Sequence, residues 1–322
     1  MKLLLAKLLL LSVPFIAYAT VVIIIDPFNC FGVCRAIPEA SKRKSSTNQY
    51  LWKVLEYRNS RQDKIILGDS RTDTISTETI KEVTGESYYN LAFSGASLPD
   101  IIDAFWLAAA HGKLSKVYIG LNFNLYNANF KKNDVKYVNR LLSNKLLYFI
   151  DVNVMSATRN LLSSMLGREA VATKKPVDPV EVWRYTIGPV TDRFYTKYSY
   201  PAEYRGALAR IADYCQANGI ALNFIILPTH VDLQRAVKHY RLEEQQKVFK
   251  EEVKTLARVY DFDFQNALTS DRNNFKDPYH LKSTQKIIDE VWGNGKKGYA
   301  VVSYPWAAVP LSATPHPAAG RR

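Results

Sequence analysis

The sequence predicts an α/β protein of three layers, α/β/α, with a parallel sheet between its helices and a membrane helix at the N-terminus. Three observations predict it. An uncharged apolar run fills Leu8–Ile25, short apolar runs alternate with helical stretches from Lys64 onward, and Gly68, Gly219 and Pro228 close individual elements. Strand and helix in alternation imply a parallel sheet covered on both faces.

The elements follow in order. Lys2 and Lys7 precede the apolar run, which counted from Leu3 is 23 residues long and broken only by Lys7. At about 1.5 Å per residue that suffices to cross a hydrocarbon core of about 30 Å. Ala17-Tyr18-Ala19 could be cleaved by a signal peptidase, but Val21–Ile25 continues the apolar run, which favours an uncleaved anchor over residues 1–26. Arg35, Lys42, Arg43 and Lys44 compete with the N-terminal charges, so charge alone leaves the orientation open. Cys30 and Cys34 read either as a small disulfide, which would favour an exported body, or as two unpaired thiols.

Residues 27–62 read as a juxtamembrane stalk, polar over Ala36–Asn48, and a helix over Gln49–Arg58. The main domain is expected over 63–292. Its strands are expected at Lys64–Leu67, Ser87–Leu91, Lys116–Leu121, Ala221–Leu227 and Phe262–Phe264. Helices are expected at Asp100–His111, whose apolar residues share one face, and at Tyr204–Asn218, Arg241–Tyr260 and beyond His280. Between 125 and 201 the alternation lapses into Tyr-, Lys- and Asn-rich sequence around a helical piece, Val135–Leu166, which reads as an insertion over the sheet edge. Residues 293–322 lack periodicity and read as a flexible tail.

Composition narrows the function classes. The chain has 322 residues, 47% hydrophobic and 23% charged, which excludes wholesale disorder and fibrous repeats. Three cysteines offer no four-ligand zinc pattern, and no metal or organic cofactor is implied. The net charge of +13 favours anionic partners, acidic polysaccharide or phospholipid headgroups. Nucleic acid is not among the expected partners, because the sequence shows no basic recognition helix, zinc-finger spacing or RNA-binding aromatic signature.

In an open parallel sheet, ligands bind beyond the carboxyl ends of the strands. Gly68-Asp69-Ser70 follows the first strand, Asn90 and Gly95 the second, and Asn122 and Asn124 the third. Asp277-Pro278-Tyr279-His280 precedes the last helix. Ser70, Gly95, Asn122 and His280, arriving in that order from about Lys64 to Trp292, resemble the four blocks of the GDSL, or SGNH, hydrolase family. The resemblance implies a flavodoxin-like fold and a serine esterase or O-acyltransferase. It gives Ser70 as nucleophile, His280 as general base and Asp277 as the carboxylate that orients the imidazole. The oxyanion donors would be the Ser70 and Gly95 N–H groups and the Asn122 side chain. The third block departs from the pattern: Phe123 stands where many members have Asp, which makes Asn124 a rival donor.

Plainer readings stand beside these. Ser70 could N-cap a helix, Asn122 could end a strand, and Asp277 and His280 could belong to a surface turn. Arg71 could bind an anionic group or pair with a nearby carboxylate. His230, in the loop after the fourth strand, could contact substrate or be a satisfied loop histidine. Anchored exported members that the chain resembles act on acyl groups of cell-surface polysaccharide, some beside a multispanning membrane acyltransferase. The expectation is therefore a single-pass protein of a bacterial inner membrane, with its domain in the periplasm or extracytoplasmic space, acting on an envelope polysaccharide or other acylated substrate. The contrasting expectation is a non-catalytic scaffold or carbohydrate-binding protein on the same fold.

Overall fold

The first apolar run forms a helix, Lys2–Ile25, whose last turn buries Val22 and Ile25 while Leu10, Leu11, Val13, Ile16 and Ile24 stay exposed. The structure, a computed structural model, describes residues 2–34, 36–60, 62–168, 178–293 and 298–305. Among the described residues no helix is long and apolar enough to cross a membrane. The chain divides into two compact units, one from Met1–Asp73, Tyr88–Leu114 and Lys131–Asp178, the other from Thr74–Ser87, Ser115–Phe130 and Pro179–Arg322.

In the first unit, strand β1 (Lys64–Leu67) pairs in parallel with β2 (Tyr89–Asn90), in the register Ile65 to Tyr89 and Ile66 to Asn90. β2 is shorter than the expected Ser87–Leu91. The helices Gln49–Ser60 and Leu98–His111 supply core residues such as Leu51, Val54, Ile101 and Phe105. Leu98–His111 starts on a capping box in which Ser97 and Asp100 exchange hydrogen bonds.

Two expectations for this unit need correction, the stalk and the long helical piece, and the two readings of the cysteines are decided. The polar stalk contains a helix, Glu39–Ser45, and Lys42 in it is buried because its ammonium donates to Asn29 Oδ1 at 2.6 Å and to the Cys34 carbonyl at 3.0 Å. Cys30 and Cys34 are unpaired thiols, and burial pushes the Cys30 thiol up to about 11. The single helical piece Val135–Leu166 is three helices, Asp134–Ser143, Lys145–Ile150 and Val152–Met165. The breaks fall at Asn144 and Asp151 because each caps the helix that follows: Asn144 accepts from Leu146 N, and Asp151 from Asn153 N and Val154 N.

In the second unit, β3 (Lys116–Leu121), β4 (Ala221–Ile226) and β5 (Arg258–Asp261) pair in parallel. The fold is thus α/β with mostly parallel strand pairs. The helix expected over Arg241–Tyr260 is present but shorter, Glu243–Lys254, and a further helix that was not expected, Val231–His239, precedes it across a break at Arg241 with φ +57°. The strand expected at Phe262–Phe264 lies earlier, at Arg258–Asp261, because Asn223–Ile226 offers a ladder to Arg258–Asp261 and tertiary pairing overrides the local helical pattern. The stretch expected as a tail also contributes structure: β8 (Val301–Ser303) pairs antiparallel with β5. Its β-branched Val301 and Val302 suit a pleated edge. The remainder of that expected tail, 294–297 and 306–322, lies outside the described residues. Before β8, strands β6 (Phe275–Asp277) and β7 (His280–Leu281) form a separate antiparallel hairpin.

Candidate active site

The nucleophile predicted from the sequence stands just beyond a strand, Lys64–Leu67, whose last three residues are apolar. Ile65, Ile66 and Leu67 are buried, and the chain then turns at Gly68. A Cβ at Gly68 would sit 2.2 Å from Thr72 Oγ1 and 2.5 Å from Thr72 Cβ, so only glycine lets the strand pass the turn of helix Ser70–Asp73. Ser70 is the half-buried first residue of that turn.

The cap of this turn is Asp69, not Ser70. Asp69 Oδ1 accepts from Arg71 N at 3.0 Å, while Oδ2 accepts from Arg71 Nε at 2.9 Å and Nη2 at 2.6 Å. Both side chains are about 5% exposed. Of the two roles open to Arg71 in the sequence, the structure has the paired one: its guanidinium forks onto the carboxylate two residues earlier.

The second block is fastened to the first. Phe93 N donates to the Gly68 carbonyl at 3.0 Å, and Asn90 Nδ2 donates to the Thr72 carbonyl at 3.0 Å. Lys53, from helix Gln49–Ser60, bonds Asp73, the Asn90 carbonyl at 3.2 Å and the Ala92 carbonyl at 2.6 Å. Gly95 follows as an exposed turn residue with φ +74°, a conformation that favours glycine. Ser70, Arg71 and Gly95 therefore belong to the first unit.

Asn122, Asn124, His230, Asp277 and His280 belong to the second. Asn122 ends β3, is 3% exposed, and starts a short 3₁₀ turn, Phe123–Leu125, without a side-chain cap bond. Asn124 is buried within that turn. Phe123, the departure from the family pattern, is a core residue packed against Tyr195, Tyr198 and Phe249 at ring separations of 5.1–6.1 Å.

Asp277 and His280 meet across the β6–β7 hairpin. His280 Nδ1 lies 2.9 Å from both Asp277 carboxylate oxygens. Tyr279 N and His280 N donate to Asp277 Oδ1 at 2.9 and 3.1 Å. Burial alone would raise the Asp277 pKa, but the His280 bond and charge and the two backbone N–H groups outweigh it and hold the carboxyl below its usual range. A carboxylate fixed on Nδ1 holds the ring in the tautomer that leaves proton exchange to Nε2. The His280 side chain is about one-third exposed, so a reacting group can approach it.

His230 is tied to the same turn, since its N–H donates to the Pro278 carbonyl at 2.9 Å. The ring N-caps helix Val231–His239, with Nδ1 accepting from Asp232 N at 3.2 Å. It meets Trp183 and Phe275 edge-on at centroid distances of 4.8 and 5.4 Å. Burial lowers its pKa against the opposing pull of Asp232, and its buried Nε2 has no hydrogen-bond partner among the described residues. His230 is thus a capping histidine at the end of its loop.

Sequence reading missed several organising residues: the Asp69–Arg71 fork, Lys53, and Asp263, which accepts from Thr229 N at 3.0 Å and Thr229 Oγ1 at 2.5 Å and so holds the His230 loop. Asp-x-Arg at 69–71 was the only local signal. The other two depend on contacts between elements distant in sequence.

No protein-family model and no curated protein matches the chain. Among solved structures it is similar to one named for acylhydrolase activity from Bacteroides fragilis, at 10% identity over 76% of this chain and 92% of the other, with a TM-score of 0.38. It is also similar to one named a GDSL-like lipase from Bacteroides thetaiotaomicron, at 11% identity over 75% of this chain and 93% of the other, with a TM-score of 0.39.

Proposed function

We propose that this chain carries out serine-dependent acyl transfer at the cell envelope, as O-acetyl transfer to, or ester hydrolysis on, a cell-surface polysaccharide. The observation that carries the reading is the Asp277–His280 pair, an imidazole with one nitrogen held by a carboxylate that stays ionised.

Ser70 Oγ attacks the acyl carbonyl carbon while His280 Nε2 takes its proton. The carbonyl π pair moves to oxygen, where the Ser70 and Gly95 N–H groups and the Asn122 amide are the proposed donors. Losing one such donor typically costs about 2.7 to 4 kcal/mol. Collapse expels the alcohol, which takes the proton from His280 and leaves an acyl-serine. Water or a sugar hydroxyl then attacks with His280 again as base, and the proton returns to Ser70. Water gives a free acid, and a sugar hydroxyl gives a new ester.

In the same reading, although no helix among the described residues is long and apolar enough to cross a membrane, the apolar run Leu3–Ile25 of the sequence anchors the chain once in a bacterial inner membrane with the body outside the cytoplasm, beside a multispanning acyltransferase that supplies acyl groups. Its support is the uncharged run Leu8–Ile25 and the exposed Leu10, Leu11, Val13, Ile16 and Ile24. Carbonate extraction tests it: an anchored chain stays in the membrane pellet, and release to the supernatant overturns the anchor.

Labelling with a fluorophosphonate tests the chemistry. Modification of Ser70 that disappears in Ser70→Ala and His280→Ala is expected. An unlabelled protein whose Ser70→Ala variant complements fully in cells overturns catalysis in favour of a scaffold.

A further inference from the structure

Helix Val152–Met165 is apolar on two sides. Val154, Ala157 and Leu161 point into the first unit and are buried. Val152, Met155, Leu162 and Leu166 recur at spacings that keep them on one outer stripe with Arg159, and Met165 lies beside them. All five apolar side chains are exposed, Val152 at 68% and Leu166 at 71%. The preceding helix, Lys145–Ile150, adds Leu146 and Ile150, both more than 60% exposed. An apolar surface of this extent marks an interaction site rather than ordinary scatter.

Cations border it. A cavity of about 470 Å³ is lined by Lys44, Arg159, Arg168, Ser163 and Ser164 among its seven residues, none of them acidic. Hydroxyls and cations without a carboxylate suit phosphate oxygens.

We propose that this face docks on an anionic lipid bilayer. The apolar stripe enters the boundary between headgroups and acyl chains, Arg159 extends from within the stripe to the phosphates, and Lys44 and Arg168 flank it. Position along the first helix supports this occupant over a protein partner. Helix Val152–Met165 packs on the first helix, and Asp151 and Tyr148 at its start lie within electrostatic range of Tyr18. Tyr18 is seven residues before Ile25, where the helix ends, and that is about 10 Å along the axis. In-plane helices bury their apolar face about 5–10 Å deep. This depth argument rests on the anchor proposed above; the apolar stripe and the cations do not.

Photo-crosslinking from p-benzoylphenylalanine placed at Met155 or Leu166 tests the proposal. The full chain is reconstituted in vesicles of phosphatidylcholine alone, or with about one-third phosphatidylglycerol. Light-dependent lipid adducts are expected at both positions and not at Val248, an exposed apolar residue of the second unit. The adduct yield should rise with phosphatidylglycerol and lose that rise in Arg159→Gln/Arg168→Gln, by about fivefold per charge removed. Added inorganic phosphate should leave the adducts in place. Absence of lipid adducts at both positions, equal yields in the two vesicles, or crosslinks to a second protein chain would overturn it. A chain released by carbonate has failed as an anchor, whereas an anchored chain without adducts has failed only here. Ser70 labelling reports on neither.

Discussion

Replacing Asp277 by asparagine separates the charge of the proposed dyad from its shape. The asparagine Oδ1 can still accept the Tyr279 and His280 N–H groups that now reach Asp277 at 2.9 and 3.1 Å, so the hairpin keeps its turn. The amide nitrogen then occupies the other carboxylate position, 2.9 Å from His280 Nδ1. An amide donor there makes Nδ1 an acceptor and puts the ring proton on Nε2, where it blocks the base. The corresponding exchange in a serine triad lowers turnover about 10⁴-fold, or about 5.5 kcal/mol in the barrier. The assay is the rate of Ser70 modification by a fluorophosphonate, with the unfolding temperature measured alongside. A rate within tenfold of wild type, in a variant that unfolds normally, would refute the argument that Asp277 sets the tautomer. The pH dependence gives a second reading. Asp277 titrates lower folded than unfolded, so the unfolded chain binds more protons between the two values and stability rises with pH across that window. That contribution is present above the unfolded carboxyl pKa and is lost as acid titrates the folded group. The asparagine variant should lack this acid-dependent part.

Three further outcomes follow from the same structure. His230 titrates lower folded than unfolded because burial disfavours the imidazolium, so its contribution is present above the ordinary histidine range and declines as pH falls through it; His230→Asn, which can still cap the helix, should flatten the urea midpoint between neutral and mildly acidic pH. Asp69→Ala leaves the Arg71 guanidinium buried without its carboxylate and should cost about 3–5 kcal/mol in urea unfolding, whereas Asp69→Leu/Arg71→Met should cost much less. Gly68→Ala drives a methyl group into Thr72 and should cost at least the roughly 1–3 kcal/mol typical of overpacking, read as a lower unfolding temperature.

What was legible in the sequence had local causes. Lys116–Leu121 is a strand at its expected bounds because a run of buried apolar residues needs no partner to be recognised. The closeness of Asp277 and His280 was legible because a three-residue spacing confines both to one turn. Boundaries set by capping or by pairing with distant strands were not. Asn144 and Asp151 look ordinary inside an apolar helical pattern, yet each stops one helix and caps the next. Arg258–Asp261 is a strand only because β4 offers it a ladder. Arg71 had two readings until its side chain was seen to fold back on Asp69.

The hairpin that joins Asp277 to His280 is closed by a loop of two residues, so fixing these side chains requires very little chain entropy. The orientation of the imidazole is therefore written into a tetrapeptide. A substitution at a core position such as Phe123 leaves the bonds within that tetrapeptide in place.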